Sequence, residues 1–91
     1  MKWSDFKTEI TSLSPEVKAE LELMASIAHA RKQNNLTQEQ LARKANVTQA
    51  QVARVENLSY KPSLNTLTKI LGALDLDLAI VDRRTGEIVR V

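Results

Sequence analysis

The 91-residue sequence contains no cysteine, two glycines, two prolines, one histidine and three aromatic residues, Trp3, Phe6 and Tyr60. Each scarcity removes a class of protein. Without cysteine there is no disulfide framework and no thiolate metal site, a composition that fits a reducing compartment. With so few aromatics the core must be aliphatic, and no aromatic platform for stacking single-stranded bases is available. His29 is the sole histidine, no serine or cysteine nucleophile has a base nearby in sequence, and no glycine loop could cradle a phosphate. The carboxylate pairs Glu20/Glu22 and Asp75/Asp77 fall on a solvated helix and a helix end. An enzyme is therefore not expected, nor is a cofactor or a bound metal. No apolar run approaches a membrane span, and MKWSDFKTEI lacks the apolar stretch of a signal peptide, so a soluble cytoplasmic protein is the expectation.

Forty-three per cent of the residues are hydrophobic, enough to form one compact core. The net charge of +2 conceals an uneven distribution. Residues 1–26 carry three basic and five acidic side chains, whereas residues 27–61 carry six basic and only two acidic ones. That middle segment has the charge a polyanion-binding surface requires.

The same middle segment repeats a local signal. In LTQEQLARKANVTQAQVARVEN (residues 36–57), Thr37 is followed three residues later by Gln40, and Thr48 by Gln51. Each pair is a capping box, in which the hydroxyl accepts from the N3 backbone N–H while the glutamine reaches back to the cap's own N–H. Two helix starts thus lie eleven residues apart. The first helix runs to Ala45 and stops at Asn46, which tolerates a left-handed backbone. The second runs from Thr48 to about Asn57.

Ser14-Pro15-Glu16 predicts an earlier helix extending to about Gln33, stopped by Asn34 and Asn35. It carries two apolar stripes, one of Leu23, Ile27 and Ala30 and one of Val17, Leu21, Met24 and Ala28. Pro62-Ser63 opens a further helix with a core stripe of Leu64, Leu67, Ile70, Leu71 and Leu74. From Leu76 the period changes to alternation. Leu76–Val81 reads as a strand, RRTGE (residues 83–87) as a hairpin loop and Ile88–Val91 as the return strand. A hairpin alone is marginal and must pack on the helices or be completed by another chain. The expected fold is mainly α, a compact bundle of four to five helices with a short C-terminal β-hairpin or strand. Its expected parts are an N-terminal segment over 1–13, a helical domain over 14–75 and the strand or hairpin over 76–91.

Counted from Gln38, the fifth residue is Ala42, the ninth Asn46, the fifteenth Val52 and the eighteenth Val55. This is the helix-turn-helix pattern: a small residue where two helices cross, positive φ in the turn, and two apolar residues seating the second helix on the first. Leu41 and Val47 complete the small core. The first helix braces the second so that its outer face can enter a DNA major groove. With Val52 and Val55 buried, that face centres on Ala50 and Asn57, flanked by Ala53 and Arg54, and Gln49 stands at the end that meets base edges. Arginine pairs bidentately with guanine, glutamine with adenine, and alanine touches the thymine methyl. Gln38, at the start of the bracing helix, is placed for a phosphate, and Arg43 and Lys61 are further phosphate candidates.

Residues 27–78 resemble the Xre family of helix-turn-helix domains, to which phage repressors belong. The resemblance implies that Gln38 and the loop after the recognition helix hold phosphates. It also implies that Thr48, Gln49, Ala50 and Arg54 occupy base- or backbone-contacting positions, with Gln51, Asn57 and Lys61 beside them. The chain departs from the family where glycines are usual, at Asn35, Asn46, Leu58 and Asp75. Leu58 is the departure that bears on function, because a bulky residue resists positive φ and the loop carrying Asn57 and Lys61 would run differently.

The order of the flanks is similar to HigA-type antitoxins, which repress their own operon and neutralise a RelE/HigB-like ribonuclease encoded beside them. That resemblance implies a small basic toxin as partner. An acidic N-terminal region with Trp3, Phe6 and the stripe of Val17, Leu21 and Met24 suits such a partner. Two alternatives stay open: Trp3 and Phe6 fold back onto that stripe, or the chain is a stand-alone Xre-family repressor without a toxin. Since one helix-turn-helix binds DNA weakly, a homodimer on a palindromic operator is expected, with half-sites about 10 bp apart or a multiple of that spacing. The hairpin and the last helix are the candidate dimer interfaces.

Overall fold

A computed structural model describes residues 14–57 and 61–90. Four helices form the described bundle: α1 (Pro15–Gln33), α2 (Gln38–Ala45), α3 (Gln49–Glu56) and α4 (Leu64–Ala73). The expected mainly α helix-turn-helix bundle is thus what forms.

Each helix begins at a hydroxyl cap. Ser14, Thr37, Thr48 and Ser63 all take extended backbone conformations, and each side chain accepts the N–H three residues on. Pro15 follows its cap at the first helical position, where its missing N–H has no intrahelical partner to lose.

Three of the helices end in one way. Asn35, Asn46 and Asp75 adopt positive φ of 57°, 58° and 57°. Behind them Leu36 N–H donates to the Arg31 carbonyl, Val47 N–H to Ala42 and Leu76 N–H to Leu71, the long 6→1 bond of a Schellman stop. Glycine is the usual residue there; asparagine and aspartate tolerate the left-handed region best among the rest. Asn34, expected to share the stop with Asn35, keeps a negative φ of −87°. Its side chain instead bonds the Ala30 carbonyl at 2.7 Å.

The core is aliphatic. Ile27, Leu41, Val52, Val55 and Ile70 are fully buried, with Met24, Ala42, Ala45, Leu67, Leu71, Ala73 and Leu74 around them. Leu36 and Val47, the residues just past two of the Schellman stops, pack against this cluster and seal its edge. Helix α2 touches both α3 and α4, and α1 packs on α3, so the helix-turn-helix pair sits between the two longer helices. Burying each large aliphatic side chain contributes about 1.5–3 kcal/mol, and α2 supplies Leu41 together with the two small alanines that let its neighbours approach.

Three expectations change. Leu64, placed in the α4 core stripe, is the first residue of its helix and is 65% exposed, because the stripe starts only at Leu67. The C-terminal strand and hairpin reduce to one isolated antiparallel bridge, Val81 to Ile88, supported by Val89 N–H to the Ile80 carbonyl and Asp82 N–H to Glu87. One bridge does not make a ladder, and Ile80, Val81, Ile88 and Val89 stay exposed. The two stripes on α1 also merge. Met24 and Ile27 are both buried, with Leu23 and Ala30 packed against them, leaving Val17 exposed and Leu21 and Ala28 half-buried.

Candidate nucleic-acid interface

Both capping boxes close as complete reciprocal pairs. Gln40 N–H reaches Thr37 Oγ1 at 3.1 Å and Thr37 N–H reaches Gln40 Oε1 at 2.8 Å. The second box repeats these distances, 3.1 Å from Gln51 N–H to Thr48 Oγ1 and 2.8 Å from Thr48 N–H to Gln51 Oε1. Short helices of eight residues would fray without such caps. Capping also commits Gln51: its carbonyl oxygen points at Thr48, and only its amide N–H groups remain for another partner.

The outer face of α3 has the composition derived from the buried positions. Val52 and Val55 face inward, while Gln49, Ala50, Arg54 and Asn57 are exposed and Ala53 is half-buried. A face with an amide, a methyl and a guanidinium matches the groups that the major groove displays.

Beneath the far end of α3 lies an arrangement that the sequence pattern did not reveal. Glu56 receives Arg31 Nε at 2.8 Å and a second guanidinium N–H at 3.0 Å, a bidentate pair joining α3 to α1. The side chains are only 11% and 6% exposed. Arg31 donates a third bond, 2.7 Å, to the Leu36 carbonyl just past the end of its helix. Glu56 Oε1 also accepts from Gln38 Nε2 at 3.2 Å. One carboxylate therefore ties the ends of three elements together, and Gln38 is held by it at the start of α2. The signal was present in the helical phase: Arg31 follows Ile27 by four residues and Glu56 follows Val52 by four, so both charges occupy core-facing positions.

The remaining cations are distributed at the surface. Arg43 pairs with Glu39 at 2.8 Å one helical turn away, and Lys61 reaches Glu20 on α1 at 3.1 Å. Exposed pairs of this kind contribute about 0–1 kcal/mol, so either cation can exchange its carboxylate for a phosphate at small cost. Of the other residues singled out, Met24 lies in the core, whereas Val17 is exposed and Leu21 half-buried. Trp3, Phe6 and Leu58 lie outside the described residues.

The capped pair, its crossing and its polar outer face define a helix-turn-helix DNA-binding domain. The helix-turn-helix family model matches residues 27–81, and the chain belongs to that family, in its Xre type. Among solved structures it is similar to a chain of a toxin–antitoxin module from Streptococcus pneumoniae. The two share 28% sequence identity and superpose with a TM-score of 0.66, over 91% of this chain and 93% of the other. A search of curated proteins returns no match.

Proposed function

We propose that this chain is a cytoplasmic, sequence-specific DNA-binding antitoxin that represses its own operon and neutralises a RelE/HigB-like ribonuclease by direct binding. The observation that carries the reading is the likeness to a chain of a toxin–antitoxin module over nine-tenths of both molecules, in a protein whose centre is a helix-turn-helix. In this reading Gln49, Ala50 and Arg54 read base edges. Gln38, Thr48, Gln51, Asn57 and Lys61 hold the backbone, and two copies occupy a palindrome. The toxin meets the acidic N-terminal region, through segment 1–13, the exposed Val17 and the half-buried Leu21. The domain proper spans 14–75, and 76–91 is an arm.

Two measurements test the two halves. Arg54→Ala should cost about 1–3 kcal/mol of operator affinity and relax discrimination at one base pair, while Lys61→Ala weakens all sequences alike and lowers the salt slope by about one. Unchanged affinity in Arg54→Ala would show that α3 is turned differently in the groove. For the partner, tagged full-length chain is isolated from its own cells. A small basic protein should accompany it in fixed ratio, cleave RNA when freed, and fall silent when the chain is restored. Deletion of residues 3–13 should abolish that capture. If no RNA-cleaving partner accompanies the chain, it acts as a repressor alone.

A further inference from the structure

The Glu56 carboxylate is 6% exposed and accepts three N–H groups. Arg31 Nε reaches one oxygen at 2.8 Å. A second guanidinium N–H, at 3.0 Å, and Gln38 Nε2, at 3.2 Å, share the other. Arg31 is itself held at 2.7 Å by the Leu36 carbonyl, one residue before the Thr37 cap, so the carboxylate is fixed relative to the start of α2. Stability alone does not account for this arrangement. Replacing a buried ion pair by apolar residues of like volume is often neutral or stabilising. What an apolar pair cannot supply is an acceptor for Gln38.

A glutamine amide has two ends of opposite character: Oε1 accepts, and Nε2 carries two N–H groups. The shape of the side chain does not decide which end meets a given neighbour; the hydrogen-bond partner does. An ionised carboxylate only accepts, so Glu56 admits Nε2 and repels Oε1. It thereby sets the sense of the amide and occupies one of its two N–H groups. The other stays on the same nitrogen, on a half-buried side chain at the start of α2. A phosphate oxygen is an acceptor too, and an amide turned the other way would meet it oxygen to oxygen. Arg31 cancels the carboxylate's charge, so a phosphate near Gln38 does not face a bare anion.

We propose that Glu56 is a positioning residue for DNA binding: by accepting one N–H of Gln38 it holds the other ready for a phosphate of the duplex. Arg31 acts one step further back, by holding Glu56 in place. The inference rests on the phosphate role given to Gln38 above and deepens it. Phosphate contacts set a protein's register on the duplex. An amide oriented from the last residue of α3 ties that register to the helix that reads the bases.

The test is a mutant cycle on the full chain, read by titrating a labelled duplex that carries the sequence upstream of its own gene. Gln38→Ala should weaken binding about tenfold, the scale of one hydrogen bond to a charged group. Arg31→Met with Glu56→Leu removes the acceptor while keeping the site filled. It should cost a similar factor, and adding Gln38→Ala to it should change nothing further. The salt slope should stay constant throughout, since neither an amide nor a neutral pair releases counterions. A lowered slope would mean that the pair supports α3 as a whole, and would overturn the proposal. A second measurement needs no variant: the Gln38 side-chain N–H signals of the native chain should shift in NMR as the duplex saturates it. If Gln38→Ala cost the same in both backgrounds, or the paired replacement bound like the native chain, Glu56 would be structural alone and the proposal would fall. Unmoved Gln38 signals, or native affinity in Gln38→Ala, would remove the phosphate contact and the proposal with it, while leaving base reading by Arg54 intact. A native chain that ignored the duplex would defeat the DNA-binding reading itself, and the proposal with it.

Discussion

Ile70 and Ile80 are the same residue ten positions apart, and they have opposite surroundings. Ile70 is fully buried in the helical core, and Ile80 is 74% exposed on the arm. The difference lies in what closes each region. Helices satisfy their backbone groups internally, so four of them need only bring apolar stripes together, and the caps at Ser14, Thr37, Thr48 and Ser63 close their starts. A strand satisfies its backbone only through a neighbour. Among the described residues, each limb of the arm has only the other limb as a strand neighbour. One sequence thus contains a region whose apolar side chains bury one another and a region whose apolar side chains stay exposed.

The largest effect that would break this contrast concerns the buried pair of Arg31 and Glu56. If the helical region is self-contained, Glu56→Ala should lose about 3–5 kcal/mol of stability, because it strands a buried guanidinium. Urea unfolding followed by circular dichroism measures it. Replacing both partners together, Arg31→Met with Glu56→Leu, should recover most of the loss. A cost under about 1 kcal/mol for Glu56→Ala would mean that Arg31 escapes to solvent and that the pair is not what joins α1 to α3.

A paired experiment sharpens the contrast at the next scale. Leu41→Ala empties a fully buried site at the centre of α2 and should cost about 2–5 kcal/mol. Ile80→Ala in dilute, monomeric chain should stay within about 0.5 kcal/mol of the native value, as surface changes do. Equal losses at the two sites would show that the arm packs on the bundle after all.

These residues also indicate which features are legible in a sequence. Caps and stops are local: Thr37 with Gln40, Thr48 with Gln51, and a left-handed Asn46 act within four residues, and each could be placed without knowing the fold. The outer face of α3 followed by geometry once Val52 and Val55 were taken as buried. The Arg31–Glu56 pair was not found, although both charges sit in the core-facing phase, because nothing local identifies a partner 25 residues away. Leu64 was misplaced since a helix's first residue has no preceding turn to carry its stripe inward. Alternation over Leu76–Val81 overstated the strand, because alternation describes what a limb offers and not what covers it. Met24, assigned to a second stripe that a partner or the N-terminus would cover, lies in the core for the same reason: two stripes on one helix look separate until the width of the neighbouring core is known.

The smallest effect is inside the arm's own turn, where local bonds are all that hold it. Asp82 accepts from the Arg84 backbone N–H at 2.8 Å and pairs with its guanidinium at 3.3 Å. The Arg84 side-chain bond, then the backbone bond, hold the Asp82 carboxyl below its ordinary value of 3.8, with a smaller opposing contribution from burial. A carboxyl with a lowered value in the ordered turn stabilises that turn fully above 3.8, and the benefit fades as pH falls through 3.8 toward the lowered value. Amide shifts of Arg84 and Gly86, followed by NMR on acidification, should therefore move together below pH 3.8, with a course of their own that the core helical amides do not share. In Asp82→Asn, which keeps an acceptor oxygen and loses the charge, the Arg84 and Gly86 shifts should be flat across the same range. A concerted shift of arm and helices together would instead mean that the turn is coupled to the bundle, and the separation of the two regions would be lost.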